Sequence, residues 1–147
     1  MFDNTLIFDS PELATYHGAI TNNRDSEKVI EQVSGSSDYS KMWLTVIVKE
    51  DFATLTSLNI ALVEANNKGL ESGGSNVVKT LFSKEVALAD LKAGNEVVKV
   101  RLPLPELHKG DTNGHTFLGI KYTVTGSNAT AGKVVAGLVD AVNTSSD

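Results

Sequence analysis

Cysteine is absent from the 147 residues, which excludes a disulfide framework and any thiolate metal site. Aromatic residues make up only 6%, with Trp43 the single tryptophan, so few rings are available to stack on sugars or bases. Positive charge is also thin. Lys and Arg number 13 against 18 Asp and Glu, for a net charge of −5. A duplex binder needs a concentrated basic stripe to displace counterions. The densest basic spot here, Lys99 and Arg101, alternates with valines and reads as one solvated strand face. No stretch approaches the roughly 20 apolar residues of a membrane span. The opening Met1-Phe2-Asp3-Asn4-Thr5-Leu6-Ile7-Phe8-Asp9 has an early acid, no basic region and no apolar run of signal length. The expectation is a protein folded in a cytoplasm, with no export signal, no nucleic-acid partner and no membrane.

Hydrophobic residues, at 41%, suffice for a core at this length, and 21% charged residues mark an ordinary globular chain. The length implies one domain. We assign residues 1–142 to it, and the polar Asn143-Thr144-Ser145-Ser146-Asp147 to a C-terminal tail.

Short β-type runs separated by turn chemistry dominate. Met42, Leu44, Val46 and Val48 point one way while Trp43, Thr45, Ile47 and Lys49 point the other. Leu58, Ile60 and Leu62 alternate with Asn59, Ala61 and Val63. Val98, Val100 and Leu102 alternate with Lys99 and Arg101 until Pro103. Leu118, Ile120, Tyr122 and Val124 form an inward set, with Lys121, Thr123 and Thr125 outward. Gly126-Ser127-Asn128 then reads as a hairpin turn leading to a last strand over 133–142. Further strands are expected at 6–8, 15–20, 28–33 and 77–82. Turn signals fall at 35–38, 66–69, 73–75 and 109–114. Helix is minor: about two turns over 87–93 ended by Gly94, and one turn opened by Ser10-Pro11-Glu12 as cap, proline and early acid. The pattern predicts an all-β jelly-roll β-sandwich of about eight antiparallel strands with one or two short helical turns.

The residues that could carry chemistry do not assemble into a motif. A cupin-type metal site needs two histidines two apart on one strand, a nearby glutamate and a later histidine. The three here, His17, His108 and His115, offer no such pair and read as loop residues. The segment from Gly126 to Lys133 has the look of a phosphate loop, but position 131 is alanine and position 134 valine where glycine and Ser/Thr are needed. Asp111-Thr112-Asn113-Gly114 begins like a calcium loop, yet position 115 is His and no glutamate closes it. No Gly-x-Ser-x-Gly occurs, and no Ser/His/acid grouping stands out. Glu64, Glu71, Glu85 and Asp90 could pair in space as a glycosidase requires, although scattered surface acids are the plainer reading. Asn128-Ala129-Thr130 and Asn143-Thr144-Ser145 match a glycosylation sequon that has no meaning without export. We therefore expect no enzyme, no metal and no cofactor.

Phe117-Leu118-Gly119-Ile120-Lys121-Tyr122-Thr123-Val124-Thr125-Gly126, followed by Thr130-Ala131-Gly132-Lys133-Val134-Val135-Ala136-Gly137-Leu138-Val139, resembles the closing two strands of the capsid cement (decoration) proteins of short-tailed phages. Ala89-Asp90-Leu91-Lys92-Ala93-Gly94, with the strand that ends at Pro103, is similar to that family's turn and Leu-Pro strand. The opening from Asp3 to Thr15 is similar to its N-terminus. The resemblance spans most of the chain in order and length. It departs at 17–41 and 105–116, where contact residues do not transfer. It implies a jelly roll, a homodimer on the capsid exterior, no enzymatic activity, and a major capsid protein of the common tailed-phage fold as partner. Self-association as a trimer stays open.

The expected role is thus a virion structural protein on the outer surface of the head that clamps neighbouring capsomers. A carbohydrate-binding jelly-roll module of a virion is the alternative. Bridging calls for contacts through termini and extended loops. Phe2, Leu6, Ile7 and Phe8 are candidates because apolar residues at a free terminus need a covering surface. The other reading of these four is the protein's own first strand in its own core. Lys109, Asp111, Asn113 and His115 are the candidates in the loop.

Overall fold

The computed structural model describes residues 7–33, 42–102 and 115–140. Among the described residues seven strands join in one antiparallel hydrogen-bonded sheet: β1 (Ile7–Asp9), β2 (Arg24–Asp25), β3 (Ile30–Val33), β4 (Met42–Ala65), β5 (Val78–Ala87), β6 (Glu96–Arg101) and β7 (His115–Asp140). Among the described residues the helical content is a single 3-10 turn, Leu88–Asp90.

Two strands set the architecture. β4 and β7 pair from Met42 opposite Asp140 to Ala65 opposite Phe117, and the register slips only between Val48 and Ser57. On either side of that slip the neighbours change. The first part of β4 lies between β6 and the end of β7, which in turn pairs with β1. The second part lies between β5 and the start of β7, which pairs with β2 and β3. The ribbon therefore turns a corner and folds over itself into two layers, one ordered β1-β7-β4-β6 and the other β3-β7-β4-β5. This is the jelly-roll arrangement, with eight sandwich strands made because β4 and β7 each serve both layers.

The alternation read from the sequence explains the core. Leu44, Val46 and Val48 from one layer, and Leu58, Ile60, Leu62, Leu118, Ile120 and Tyr122 from the other, are buried in one cluster with Val134, Ala136 and Leu138. Each fully buried aliphatic side chain contributes about 1.5–3 kcal/mol. A smaller cluster of Val63, Ala65 and Leu70 sits outside the second layer, under the loop that follows β4.

Three expected elements differ. Gly126-Ser127-Asn128 is no hairpin turn: β7 runs through it, and residues 117–125 pair with β4 rather than with the segment after 133. Gly126 at φ +88 and Gly132 at φ +139 supply the corner, a bend that turn residues signal equally well. Residues 15–20 form turns with one isolated bridge, Ala19 to Lys133, instead of a strand. The two helical turns over 87–93 reduce to the 3-10 turn, which ends at Leu91 before Gly94 at φ +94. The Ser10 cap does form, its hydroxyl accepting the Glu12 N–H at 3.2 Å. Residues 143–147, assigned to a tail, lie outside the described residues.

Candidate functional site

The densest polar constellation joins the N-terminal segment to β7. Asp9 ends β1 with its side chain fully buried. It accepts the Tyr122 hydroxyl at 2.7 Å and the Glu27 N–H at 3.1 Å, and pairs with the Arg24 guanidinium at 3.1 Å. Arg24 also donates to the Ala19 and Asp25 carbonyls. Its guanidinium lies 4.2 Å from the ring centre of Tyr16 and 5.2 Å from that of Tyr122, within the range of cation–π attraction. Glu27 completes the ring of contacts by accepting the backbone N–H groups of Thr15 and Tyr16 at 2.7 and 2.9 Å.

Burial dominates the electrostatics here. It pushes the Asp9 carboxyl above its ordinary value of 3.8, outweighing the Arg24 charge and the bonds from Tyr122 and Glu27. Burial, with the Asp9 charge and hydrogen bond, drives the Tyr122 hydroxyl well above 10.0 against the pull of Arg24. For Glu27, desolvation also works upward, but the Tyr16 and Thr15 N–H bonds, the Thr15 hydroxyl and Arg24 together hold its carboxyl below the ordinary value. With Asp9 at 0% exposure and Tyr122 at 1%, these groups face protein rather than solvent. What the arrangement can do is hold chain segments in place.

Two surface grooves accompany it. One, of about 380 Å³, runs between residues 25–29 and 68–70, with Val29 and Leu70 as its apolar lining. The other, of about 260 Å³, lies where β5 meets β6 and collects Glu85, Asp90 and Glu96. Glu85 and Asp90, two of the carboxylates singled out in the sequence, thus share a groove. The Ser57 hydroxyl bonds the Glu85 carboxylate, as do Asn59 and Thr125, and these bonds, led by Ser57, lower its pKa. Glu71 is exposed, whereas Glu64 is fully buried and is no surface acid. Among the described residues, no three His, Asp or Glu come together as metal ligands, and no helix is long and apolar enough to cross a membrane.

The contact residues read from the sequence separate. Phe8 is 0% exposed and fills the protein's own core, so its side chain is not offered to a partner; strand alternation turned it inward. Ile7, its neighbour, is partly exposed and pairs with Gly137. His115 begins β7 opposite Val33. Phe2, Leu6, Lys109, Asp111 and Asn113 lie outside the described residues. The register puts the flanking positions Val33, Met42, His115 and Asp140 at the end of the sandwich opposite the β4–β7 corner. Asp9 and Arg24 were not found by motif, because their partner Tyr122 is remote in sequence and reads only as one more inward strand residue.

No curated protein matches the chain. The sequence model of the Bbp16 family matches residues 13–138, which takes in β2 to β7 up to Leu138. The chain belongs to this family, a phage-related one.

Proposed function

We propose that this member of the Bbp16 family is a phage capsid cement (decoration) protein, which binds the outer surface of the head and clamps adjacent capsomers of the major capsid protein. Family membership supplies the phage context. The observation that carries the mechanical part is the β4–β7 ladder, which runs from one end of the sandwich around the corner to the other with its register shifts confined to the corner between Val48 and Ser57. Tension applied along such a ribbon loads its hydrogen bonds side by side, so the domain is a stiff spacer.

A rigid domain that binds the assembled shell and not its free subunits stabilises the shell by linkage. A head filled with DNA pushes its subunits apart, and a bridge across two capsomers opposes that push. Repetition over the lattice makes modest contacts effective, provided both ends can engage together. In this reading the partners are a major capsid protein of the common tailed-phage fold and a second copy of this chain in a homodimer. The contacts are sought at Phe2, Leu6, Ile7, Lys109, Asp111, Asn113 and His115, without Phe8.

The test is incubation of purified protein with empty phage heads lacking it, followed by sedimentation and thermal disruption of the heads. Saturable co-sedimentation with a raised disruption temperature is expected. Protein that stays in the supernatant, or binds without changing head stability, overturns the reading.

A further inference from the structure

Residues 7–28 are attached differently from the rest of the sandwich. Regular pairing to β7 is limited to Ile7 and Asp9 in β1, with a register shift between them, and Arg24 and Asp25 in β2. The other backbone links to β7 are single bonds: Ile20 N–H to the Gly132 carbonyl, Val134 N–H to Gly18, Ala129 N–H to Thr21, and Ser26 N–H to Ile120, while Lys28 N–H bonds Phe8 within the segment itself. Side chains replace the missing ladder, with Ser26 Oγ accepting the Ile120 N–H and Asn23 Oδ1 accepting the Val124 N–H. Apolar hold is slight, since Phe8 and Ile20 are the members of this stretch in the core cluster, and residues 14–17 and 21–23 are exposed.

We propose that residues 7–28 form a strap that opens as a unit while the sandwich stays folded, latched by the Asp9–Arg24–Tyr122 cluster. Two buried apolar side chains hold far less than the rows along β4 and β7, so the strap has a lower opening free energy than global unfolding. The latch ties both ends of the strap, Asp9 and Arg24, to one residue of β7. Opening bares the outer edge of β7, including the backbone groups of Ile120, Val124 and Val134. The inference concerns the free protein and stands whether or not the cement reading does.

Amide hydrogen exchange on the full chain tests it. The amides of Ile20 and Ser26, which donate to β7, are expected to share one protection level, about tenfold or more below that of Val46, Leu62 and Leu118. Tyr122→Phe removes the latch hydroxyl and is expected to speed the strap amides by about tenfold, with those of β4 still the slower set because they exchange only on global unfolding. Equal protection of strap and β4 in the unaltered protein, or no acceleration of the strap in the variant, overturns the proposal. Should Tyr122→Phe fail to fold, Asn23→Ala, at an exposed position, serves in its place with an acceleration of the strap amides expected and the same overturning results.

Discussion

Tyr122 donates its hydroxyl to Asp9 at 2.7 Å across 113 residues of sequence, and both side chains are buried. The bond ties the middle of the last strand to the end of the first. It works with the Arg24 pair, so the three should be energetically coupled. Asp9→Ala leaves a guanidinium that is 7% exposed without its carboxylate, and breaking a buried pair in this way costs about 3–5 kcal/mol. Urea unfolding is expected to show that loss, and Asp9→Ala with Arg24→Ala together to cost less than the sum of the singles. Additive losses would mean the pair does not act as a unit.

Asp9 and Glu27 should tilt stability with pH in opposite directions. The folded-state pKa of Asp9 is raised, so its contribution is fully present below 3.8 and is lost as the pH rises through the raised value. That of Glu27 is lowered, so its contribution is present above 4.5 and is lost as the pH falls through the folded value. Comparing urea midpoints from neutral into acid, Asp9→Asn should remove a gain on acidification and Glu27→Gln should remove a loss. The reverse slopes would contradict the burial-dominated account of Asp9.

Gly132 and Gly119 should respond differently to alanine. A Cβ at Gly132, which sits at φ +139, would lie 2.4 Å from the buried Phe52 ring. At Gly119 it would lie 2.4 Å from Leu70 Cδ1, the end of a flexible side chain, with no unusual φ. Gly119→Ala is expected to cost about 1–3 kcal/mol, and Leu70→Ala to cost less in that variant than in the unaltered protein. Gly132→Ala should cost more, and Phe52→Ala should cost nearly as much in that variant as alone, because backbone strain at Gly132 remains. Thermal midpoints of the single and double variants decide the point.

Thr45 faces outward from its layer at 4% exposure, and its hydroxyl finds no hydrogen-bond partner among the described residues. A buried hydroxyl without a partner is unfavourable. Thr45→Val keeps the shape and removes the polar atom, so it is expected to stabilise the protein by about 1 kcal/mol, raising the thermal midpoint by about 2–4 °C. A lower midpoint would show that the hydroxyl is satisfied.

Much of the fold was legible because strand alternation is a local signal. The inward rows of Leu44, Val46 and Val48, and of Leu118, Ile120 and Tyr122, could be read from spacing two alone, and so could the all-β class. The corner was misread for an equally local reason: Gly126, Ser127 and Asn128 are what a hairpin turn uses and also what a bent strand uses. Choosing between them requires knowing that residues 117–125 pair with 57–65.

Sequence by itself determined which faces of the strands are apolar, because periodicity is written along the chain. Tertiary structure alone decided that β4 and β7 each serve both layers, that Phe8 belongs to the core, and that Asp9, Arg24 and Tyr122 meet. Those facts depend on pairings between residues far apart in the chain, where the free energy of burying an apolar row or a charge is set by what lies opposite, not by what lies adjacent.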